Sequence, residues 1–527
     1  MLQLKKKYML LMIIMMVALV ISACSSSNVS TPETDQESKV EKPSEVTLAA
    51  PRDLAPGSQD AYYTSVILYV WEPLIAGGED GKPIPKLAES WSMSEDGKEW
   101  TFNLRENVTF HDGEELNADA VIANFERYKQ VSPKNSPFYT LNIENSYPGL
   151  QEVVKVNDLT FKLVFEKPQP TLLYSMVNFS SPIYSPKNFD EQGDFNGLPQ
   201  GTGPYKLVEH EKDAYALLRA NEHYYGEKAK TETIRVKVIP DPDTRLAALK
   251  AGEIFGVMDL GAIPPEQAQE LAKDDRFELS VTRSTISHYL HPNGKNGLFA
   301  DVRLRKAVSL AIDRELIVDE LYRGFPTATA NILNVTSPFY KVVELKYDPA
   351  QAKELAKEVL GEERKNVRLI VPSYGIDRYP YKAQAELIQY QLKEIGLDVE
   401  IQILDTAAFK DAQAKGEFDL ALGTQGLPNG EPFTIFNNYL SSEGSSNISY
   451  SLGYANEHID ELLAQASAEL DLDKRQAIYH EIQEITAEEF PTIPLFNDAS
   501  LIAFNKSIKG YKALLYGTTL SNLEWAQ

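Results

Sequence analysis

The chain has 527 residues, of which 43% are hydrophobic, and its 76 acidic and 52 basic side chains give a formal net charge of −24. This composition is typical of a globular protein, and the length predicts two or more domains. So acidic a surface repels nucleic acid and anionic lipid headgroups, which excludes both from the expected partners.

The first 24 residues have the layout of a secretory signal peptide. Three lysines at positions 5–7 precede an almost wholly apolar run from Tyr8 to Val20, and small residues then lead to Cys24. The run is shorter than the ~20 residues that span a membrane, which favours a signal peptide over an uncleaved anchor helix, the alternative. The stretch from Ile21 to Cys24 also resembles the lipobox of bacterial lipoproteins, in which the cysteine is lipidated. Because Cys24 is the only cysteine, the exported body is expected to be stable without disulfides.

The next segment, residues 25–45, is rich in Ser, Thr, Glu, Lys and Pro and poor in apolar side chains. Such a segment cannot bury enough surface to offset the entropy that it loses on ordering, so it is predicted to be a flexible tether. The folded body is expected to begin at Val46.

Short strands and turns are predicted in the N-terminal half of the body. The strands cover Thr101 to Leu104, Val108 to Phe110 and Leu159 to Phe165, and Asp-Gly pairs at 96–97 and 112–113 mark turns. This half is therefore expected to be a mixed α+β lobe.

Strands and helices alternate in the C-terminal half. Strands are predicted at Val367 to Val371, Asp398 to Leu404 and Phe418 to Leu422, and helices at Arg378 to Ile395 and Ala407 to Lys415. The short connections require parallel strands with right-handed crossovers, which is an α/β lobe.

Further helices flank this region. One is predicted to run without a break from Val302 to Tyr322 with Asp301 as its N-cap. Asn456 is placed to cap another, and a partner helix carries Ile478, Ile482 and Ile485.

Six stretches of the body form a further pattern. In chain order they are the segment from Trp71 to Phe125, GTGPYKL from Gly201, VKVIPDPDTRLAALKAGEI from Val236, DVRLRKAVSLAIDRELI from Asp301, YDPAQAKELAKEVLG from Tyr347 and RQAIYHEIQEITAEEFPTIPLF from Arg475. Together they resemble solute-binding protein family 5 of the ABC importers, the dipeptide-, oligopeptide- and nickel-binding proteins. The resemblance covers nearly the whole chain beyond the tether.

The resemblance implies an α/β, two-lobed periplasmic-binding-protein-like fold (type II, cluster C), with a hinge and a ligand cleft between the lobes. Lobe I would comprise residues 46–285 and 493–527, with mixed α+β structure, and lobe II residues 286–492, with α/β structure. The chain would cross between the lobes near residues 285 and 493.

The implied function is that of an extracytoplasmic lipoprotein that captures a solute and delivers it to the permease subunits of an ABC importer. The protein would act as a monomer without a cofactor, anchored by lipid on the outer face of a Gram-positive cell membrane.

The ligand class depends on the loop from Leu422 to Phe433. Nickel-binding relatives place a histidine where Gly423 stands, and dipeptide-binding relatives place an ammonium-binding aspartate where Pro428 stands. Lys134 substitutes for one of the arginines that hold a chelator's carboxylates, and Pro182 replaces another. A peptide-like ligand or a nickel chelate (metallophore) is therefore expected, and a dipeptide or oligopeptide receptor without metal is the alternative.

Several side chains are predicted to contact the ligand. Ligands bind beyond the carboxyl ends of the strands in open α/β sheets, so side chains at those ends of the lobe II strands are expected to contact the ligand. Aromatic walls for the ligand are expected from Tyr62, Tyr63, Phe138 and Tyr139. The predicted contacts are Tyr63, Lys134, Tyr139, His291, Asn293, Tyr374, Thr424, Gln425 and Asn429. His291 is expected to bind a metal only when a chelator brings it.

The competing class is a secreted enzyme. The sequence contains no His-Glu-x-x-His, no Gly-x-Ser-x-Gly and no phosphate-binding glycine loop. The chain is therefore predicted not to be an enzyme, with a hydrolase that uses paired carboxylates as the remaining alternative.

Overall fold

The computed structural model describes the body of the chain, residues 44–54, 67–131, 143, 147–177, 182–259, 261–295, 297–376, 378–427 and 430–526. Cys24 and the predicted signal peptide lie outside the described residues, as do the predicted ligand contacts Tyr63, Lys134, Tyr139 and Asn429. Within the described ranges, no helix combines the length and the apolar character needed to cross a membrane.

One long sheet extends through the body. Its strands are β1 (Glu45–Ala50), β10 (Tyr205–Glu211), β11 (Tyr215–Ala220), β12 (Thr233–Val238), β13 (Gly256–Val257), β14 (Phe277–Pro292), β15 (Thr327–Ala328), β16 (Lys365–Pro372), β17 (Leu397–Leu404), β18 (Leu420–Gly426) and β19 (Ile493–Asn505). In space they follow the order β10-β11-β12-β1-β13-β19-β14-β18-β16-β17, with β15 paired to β19.

The long antiparallel strands β14 and β19 join two parallel half-sheets. On one side β1 is parallel to β12 and β13, and on the other β16 is parallel to β17 and β18, as predicted. The pairing of β14 with β19 shifts register between Arg283 and Ser287, opposite Asn497 to Ala499. An irregularity of this kind bends a strand locally, and it falls where the chain is expected to cross the hinge. The residue limits of the two lobes stay predictions.

Small sheets complete the first lobe. A four-stranded sheet has the order β5-β6-β8-β7, and the remaining strands pair as β2 with β9, β3 with β4, β20 with β23 and β21 with β22. Their bounds are β2 (Glu72–Pro73), β3 (Ile75–Gly77), β4 (Pro83–Pro85), β5 (Ala88–Met93), β6 (Glu99–Leu104), β7 (Leu150–Asn157), β8 (Thr160–Phe165), β9 (Pro182–Ile183), β20 (Ile508–Lys509), β21 (Ala513–Leu514), β22 (Gly517–Thr518) and β23 (Glu524–Trp525).

The predicted strand at Val108 to Phe110 is wrong. Thr109 makes only an isolated bridge to Glu115. The Asp-Gly turn that follows brings the N–H of Gly113 to the carbonyl of Phe110, so the segment folds back before a ladder can extend.

The helices pack on both half-sheets. They are α1 (Ala118–Val131), α2 (Leu172–Val177), α3 (Pro242–Ala251), α4 (Pro265–Leu271), α5 (Val302–Ala311), α6 (Arg314–Tyr322), α7 (Pro349–Leu360), α8 (Tyr381–Lys393), α9 (Thr406–Lys415), α10 (Phe433–Leu440), α11 (Ser445–Ser449), α12 (Glu457–Ala468) and α13 (Leu472–Glu489). The predicted caps are confirmed for Asp301 and Asn456, each of which accepts a hydrogen bond from a main-chain N–H in the first turn, and Asp405 caps α9 in the same way.

The single helix predicted from Val302 to Tyr322 is two helices, α5 and α6. Asp313 caps α6 by accepting from the N–H of Leu316. The buried guanidinium of Arg314 donates to the carbonyls of Ser309 and Ile312 at the end of α5. Asp313 thus binds a main-chain N–H at the start of α6, and Arg314 binds main-chain carbonyls at the end of α5. The break between the helices therefore leaves few main-chain groups without a hydrogen bond.

The helix predicted to begin at Arg378 begins at Tyr381 instead. Pro380 occupies the N-cap position, and a residue that precedes a proline is disfavoured in helical conformation. Arg378 and Tyr379 therefore remain in the loop that follows β16, which brings them to the carboxyl edge of the second half-sheet.

Separate hydrophobic cores fill the two lobes. In the first, Leu48, Ile234 and Phe504 are buried together, whereas in the second Val308, Leu369 and Ile388 form the centre of another cluster. Two bodies with separate main cores that are joined by a pair of long strands can move as rigid units about those strands.

Candidate functional site

An ion pair lies at the carboxyl edge of the first half-sheet. Arg52 and Asp259 each stand two residues beyond a parallel strand, β1 and β13 respectively. Nε of Arg52 lies 2.6 Å from Oδ2 of Asp259, and Nη2 lies 3.2 Å from Oδ1. The Asp259 side chain is only 1% exposed, so this two-pronged contact is what makes its burial tolerable.

A second ion pair lies at the edge of the other half-sheet. Nη2 of Arg378 is 3.2 Å from Oδ2 of Asp498, a residue of β19 beside the register shift. The hydroxyl of Tyr379 donates to the same oxygen at 2.9 Å. Burial raises the pKa of the Asp498 carboxyl, while Arg378 and the hydrogen bonds oppose the rise.

The two pairs influence each other across the cleft. Burial by itself would lower the pKa of Arg378, but electrostatic interactions with neighbouring Tyr379 and with the carboxylates of Asp498 and Asp259 outweigh it and raise the pKa. Asp259 comes from the first lobe and Arg378 from the second, so charged groups of the two lobes face each other. We call Arg52, Asp259, Arg378 and Asp498 the charged cluster.

Gly261 allows Arg378 to fit against the first lobe. A Cβ at position 261 would lie 2.4 Å from Cδ of Arg378, and the backbone there has φ of +69°. Both the contact and the left-handed conformation require glycine.

A cavity of about 340 Å³ opens beside the charged cluster. We call it the first-lobe cavity, because the described residues that line it come from that lobe and from the shared strands. Aliphatic side chains and three aromatic rings form most of its wall, namely Ile67, Ile84, Val177, Ile502, Leu514, Leu515, Tyr69, Trp71 and Tyr516. Its size lies in the range of small-molecule sites, and Asp259 belongs both to its lining and to the charged cluster.

The polar floor of the first-lobe cavity is internally satisfied. The carboxylate of Glu72 lies 2.8 Å from Nζ of Lys86 and accepts hydrogen bonds from the hydroxyls of Tyr224 and Thr202. Burial raises the pKa of the nearby Tyr69 hydroxyl to about 12, so that group stays neutral. The floor therefore presents neither a free anion nor a free cation.

Three predicted ligand residues, Tyr374, Thr424 and Gln425, meet at the carboxyl edge of the second half-sheet. Tyr374 follows β16 and the other two lie in β18, and these strands are parallel neighbours. Tyr374 is 42% exposed, which leaves its ring available, whereas Gln425 accepts a hydrogen bond from the hydroxyl of Tyr439 at 2.9 Å. Their contact with a ligand stays a prediction.

His291 lies towards the other end of β18. It pairs with Ala421, three residues before Thr424 and hence about 10 Å away at ~3.3 Å per residue. Its Nδ1 is 2.9 Å from Oγ1 of Thr492, and its ring stacks on that of Tyr289. Burial lowers its pKa to about 3, so the imidazole is neutral, but a ligand contact stays a prediction.

Asn293 also lies beyond the amino end of β18. Its side-chain amide donates to the carbonyls of Gly416 and Phe418 at 3.1 and 2.9 Å. Its carbonyl oxygen accepts from the N–H of Lys295. These contacts bind the side chain to the chain itself, and a role in ligand binding stays a prediction.

Gly423 is packed against His291, which explains why this chain has no side chain there. A Cβ at position 423 would lie 2.7 Å from Nε2 of His291. We expect Gly423→Ala to lower the free energy of unfolding by about 1–3 kcal/mol, the usual cost of overpacking, as measured by urea denaturation. In a His291→Ala background, which removes the imidazole, Gly423→Ala should be neutral or stabilising. Additive effects of the two changes would contradict this explanation.

The lobes also meet through main-chain contacts on the far side of the cleft. A Cβ at Gly81, in the turn between β3 and β4, would lie 2.5 Å from the carbonyl oxygen of Thr336. A Cβ at Gly430 would lie 3.1 Å from the carbonyl oxygen of Gly81. The ring of Tyr174 adds a contact with Phe339, with centroids 5.5 Å apart. The two lobes are therefore in direct contact at these positions.

Within the described ranges, no group of three or more His, Cys, Asp or Glu side chains is arranged to hold a metal ion. The chemistry that these residues offer is non-covalent: two arginines, two aspartates and an apolar cavity. An apolar cavity with a few charged groups beside it is typical of small-molecule sites.

Comparisons with known proteins agree with this description. The profile of the bacterial extracellular solute-binding proteins, family 5 (middle region), matches residues 82–447. Heme-binding protein A of Haemophilus influenzae is 28% identical, with 94% of this chain and 95% of that protein covered. The dipeptide-binding protein of Escherichia coli is 28% identical over 81% of this chain and 83% of its own length.

A solved structure confirms the predicted two-lobed fold. The crystal structure of NikA from Brucella suis in complex with Fe(III)-EDTA superposes with a TM-score of 0.80 at 25% identity, and covers 92% of this chain and 100% of that one. With the profile match over more than half of the chain, the assignment follows: this chain belongs to family 5 of the bacterial extracellular solute-binding proteins.

Proposed function

We propose that the protein is the extracytoplasmic receptor of an ABC importer and that its ligand carries at least one carboxylate. The ligand is a small peptide-like molecule or a metal already held by a chelator, which the receptor delivers to a membrane permease. The charged cluster carries the proposal, because Arg52 and Arg378 approach the cleft from facing strand edges. A guanidinium fits a carboxylate in a two-pronged geometry.

The relatives support the carboxylate. Their names specify heme, a dipeptide and Fe(III)-EDTA, and these molecules differ in size and metal content but all bear carboxylates. The curated relatives are named as binding proteins, which supports a receptor that needs no cofactor and performs no chemistry on its ligand.

A chelated metal fits better than a bare ion, since the described residues gather no metal-binding group. A dipeptide or oligopeptide without metal is the second candidate, because an ammonium group could pair with Asp259 or Asp498. Calorimetry distinguishes them: a receptor for chelates binds nickel only after a chelator such as histidine is added, whereas a peptide receptor binds peptide alone. Lys134→Ala is expected to weaken binding of either carboxylate ligand at least tenfold, about 1.4 kcal/mol.

Native mass spectrometry of protein purified from its own host tests the receptor role directly. A co-purified small molecule with a carboxylate is the expected result, and ligand should raise the melting temperature, because only the folded protein binds it. Protein that carries no solute and shows no stabilisation by peptides or nickel chelates would overturn the proposal.

The lipid anchor is a separate part of the proposal, and it rests on the residues that end at Cys24. Cys24→Ser should release the protein into the medium of its Gram-positive host, because a single apolar leader that is cleaved leaves nothing in the bilayer. The measurement is an immunoblot of membrane and medium fractions, with a Ser25→Ala variant as the control. A Cys24→Ser protein that stays in the membrane fraction would favour the uncleaved anchor helix.

A further inference from the structure

We propose that the ligand carries a ring-sized or branched apolar group that enters the first-lobe cavity while its carboxylate lies at the charged cluster. This inference rests on the proposed receptor function and narrows its ligand class. It favours carboxylate ligands that carry an apolar group over small, wholly polar ones, because a wholly polar solute would leave the cavity wall in contact with water.

Two of the three carboxylates that line the first-lobe cavity are paired with basic side chains. Glu72 is bound by Lys86, and Asp259 by Arg52. Both carboxylates are buried, and neither needs a ligand atom to complete its contacts. The part of the ligand that enters therefore meets mainly the apolar wall, and the one other carboxylate of the lining, Glu79, is exposed to solvent.

That wall surrounds the cavity from several elements. Trp71 and Tyr69 lie on one side, Leu515 and Tyr516 come from the turn between β21 and β22, and Ile502 comes from β19. An apolar cavity with a few polar groups at one end is typical of small-molecule sites, in which the polar groups orient the ligand.

Two polar groups of the cavity lining lie next to the charged cluster. Gly256 of β13 pairs with Phe504 of β19, so Asp259, three residues further on, lies beside Leu501, the neighbour of Ser500 on the antiparallel strand. Ser500 and Asp259 both line the cavity. Asp498 stands two residues from Ser500 on the same face of β19, and Asp498 binds Arg378. The cavity lining thus reaches Asp259, a member of the charged cluster, whose arginines can receive a carboxylate although neither lines the cavity itself.

The test compares three probes that all bear a carboxylate: Gly-Gly, Gly-Phe and 3-phenylpropionate. Calorimetry with the purified full chain should show Gly-Phe binding at least tenfold tighter than Gly-Gly. Leu515→Trp, at a half-buried turn position that lines the cavity, should fill it and weaken Gly-Phe at least tenfold. The matched control is Val281→Trp on β14, because Val281 is 46% exposed and does not line the cavity.

Equal affinities for Gly-Gly and Gly-Phe, or a Leu515→Trp variant that binds Gly-Phe as the wild type does, would overturn the inference. If no probe binds, the same comparison of wild type and Leu515→Trp is made with the solute found by native mass spectrometry. A solute with a ring or branched apolar group must lose affinity in Leu515→Trp, whereas one without such a group overturns the inference and leaves the receptor function standing. Protein that binds no solute at all overturns both.

Discussion

Arg378→Ala is expected to weaken ligand binding at least about thirtyfold, because the variant loses the guanidinium that faces the ligand's carboxylate. Truncating one member of a desolvated charge pair costs about 2–5 kcal/mol of affinity. Calorimetry with the solute identified from the host measures the effect. Arg378→Lys, which keeps the charge but not the two-pronged geometry, should retain part of the affinity.

The same change should also destabilise the protein, by about 3 kcal/mol. It leaves Asp498, whose side chain is 8% exposed, as a buried carboxylate without its cation. The hydroxyl of Tyr379 and the N–H of Ala499 still donate to it, which keeps the cost at the lower end. Urea denaturation measures this loss.

The loss should depend on pH. Burial already raises the pKa of Asp498, and removal of Arg378 raises it further. A carboxyl whose pKa is higher in the folded than in the unfolded state stabilises the fold at low pH, and this contribution disappears as the pH rises through the raised value. The loss in free energy of unfolding caused by Arg378→Ala should therefore be smaller at pH 4 than at pH 8.

A double variant separates the two effects. Arg378→Ala with Asp498→Asn removes the buried charge, so most of the stability should return while the affinity for a carboxylate stays low. If affinity and stability recover together, Arg378 serves only to neutralise Asp498, and its assignment to the ligand is wrong.

The order and type of the main elements could be predicted from the sequence because each depends on neighbours in the chain. The apolar run of β16, the alternation of apolar residues in β17 and the caps at Asp301 and Asn456 are local signals, and the structure confirms them. The break between α5 and α6 depends on Arg314, whose guanidinium also donates to the carbonyl of Pro494. A contact between residues 180 positions apart leaves no local signal.

The charged cluster was missed for three different reasons. Arg52 and Asp259 obey the rule that ligand residues follow parallel strands, but β13 has only two residues and shows no alternation. Arg378 falls inside the helix predicted from residue 378, although Pro380 indicates that the helix begins later. Asp498 lies in a long strand that is buried almost throughout, so nothing in its neighbourhood distinguishes it from core.

The predicted site also brought together residues that the fold separates. Thr424 and His291 both belong near β18, but Thr424 lies at its carboxyl edge and His291 pairs towards its amino end. Which end of a strand a residue occupies depends on the register between β14 and β18, and register is a property of the pair. The sequence of β14 or of β18 alone does not determine this register.

Gly81→Ala is expected to block closure of the lobes and so to weaken ligand binding by roughly a hundredfold. A Cβ at this position would approach the carbonyl oxygen of Thr336 to 2.5 Å. The nearest neighbour is a main-chain carbonyl and the next is the ring of Pro338, and neither can rotate away as a flexible side chain does, so we expect the lobes to separate instead. If the clash costs the closed state about 3 kcal/mol, the population of the closed form falls by about two orders of magnitude, and the apparent affinity falls with it.

Gly113→Ala is the matched control for this variant. Gly81 and Gly113 both have positive φ, +75° and +90°, but a Cβ at Gly113 would meet nothing within 4 Å. Both substitutions therefore cost about 1–2 kcal/mol of backbone strain, and only Gly81→Ala adds a contact between the lobes. Small-angle scattering should show the radius of gyration fall with ligand in the wild type and in Gly113→Ala, and stay constant in Gly81→Ala. If both variants close and bind alike, the contact between Gly81 and Thr336 does not limit closure, and the ligand must be retained by the charged cluster and the first-lobe cavity without it.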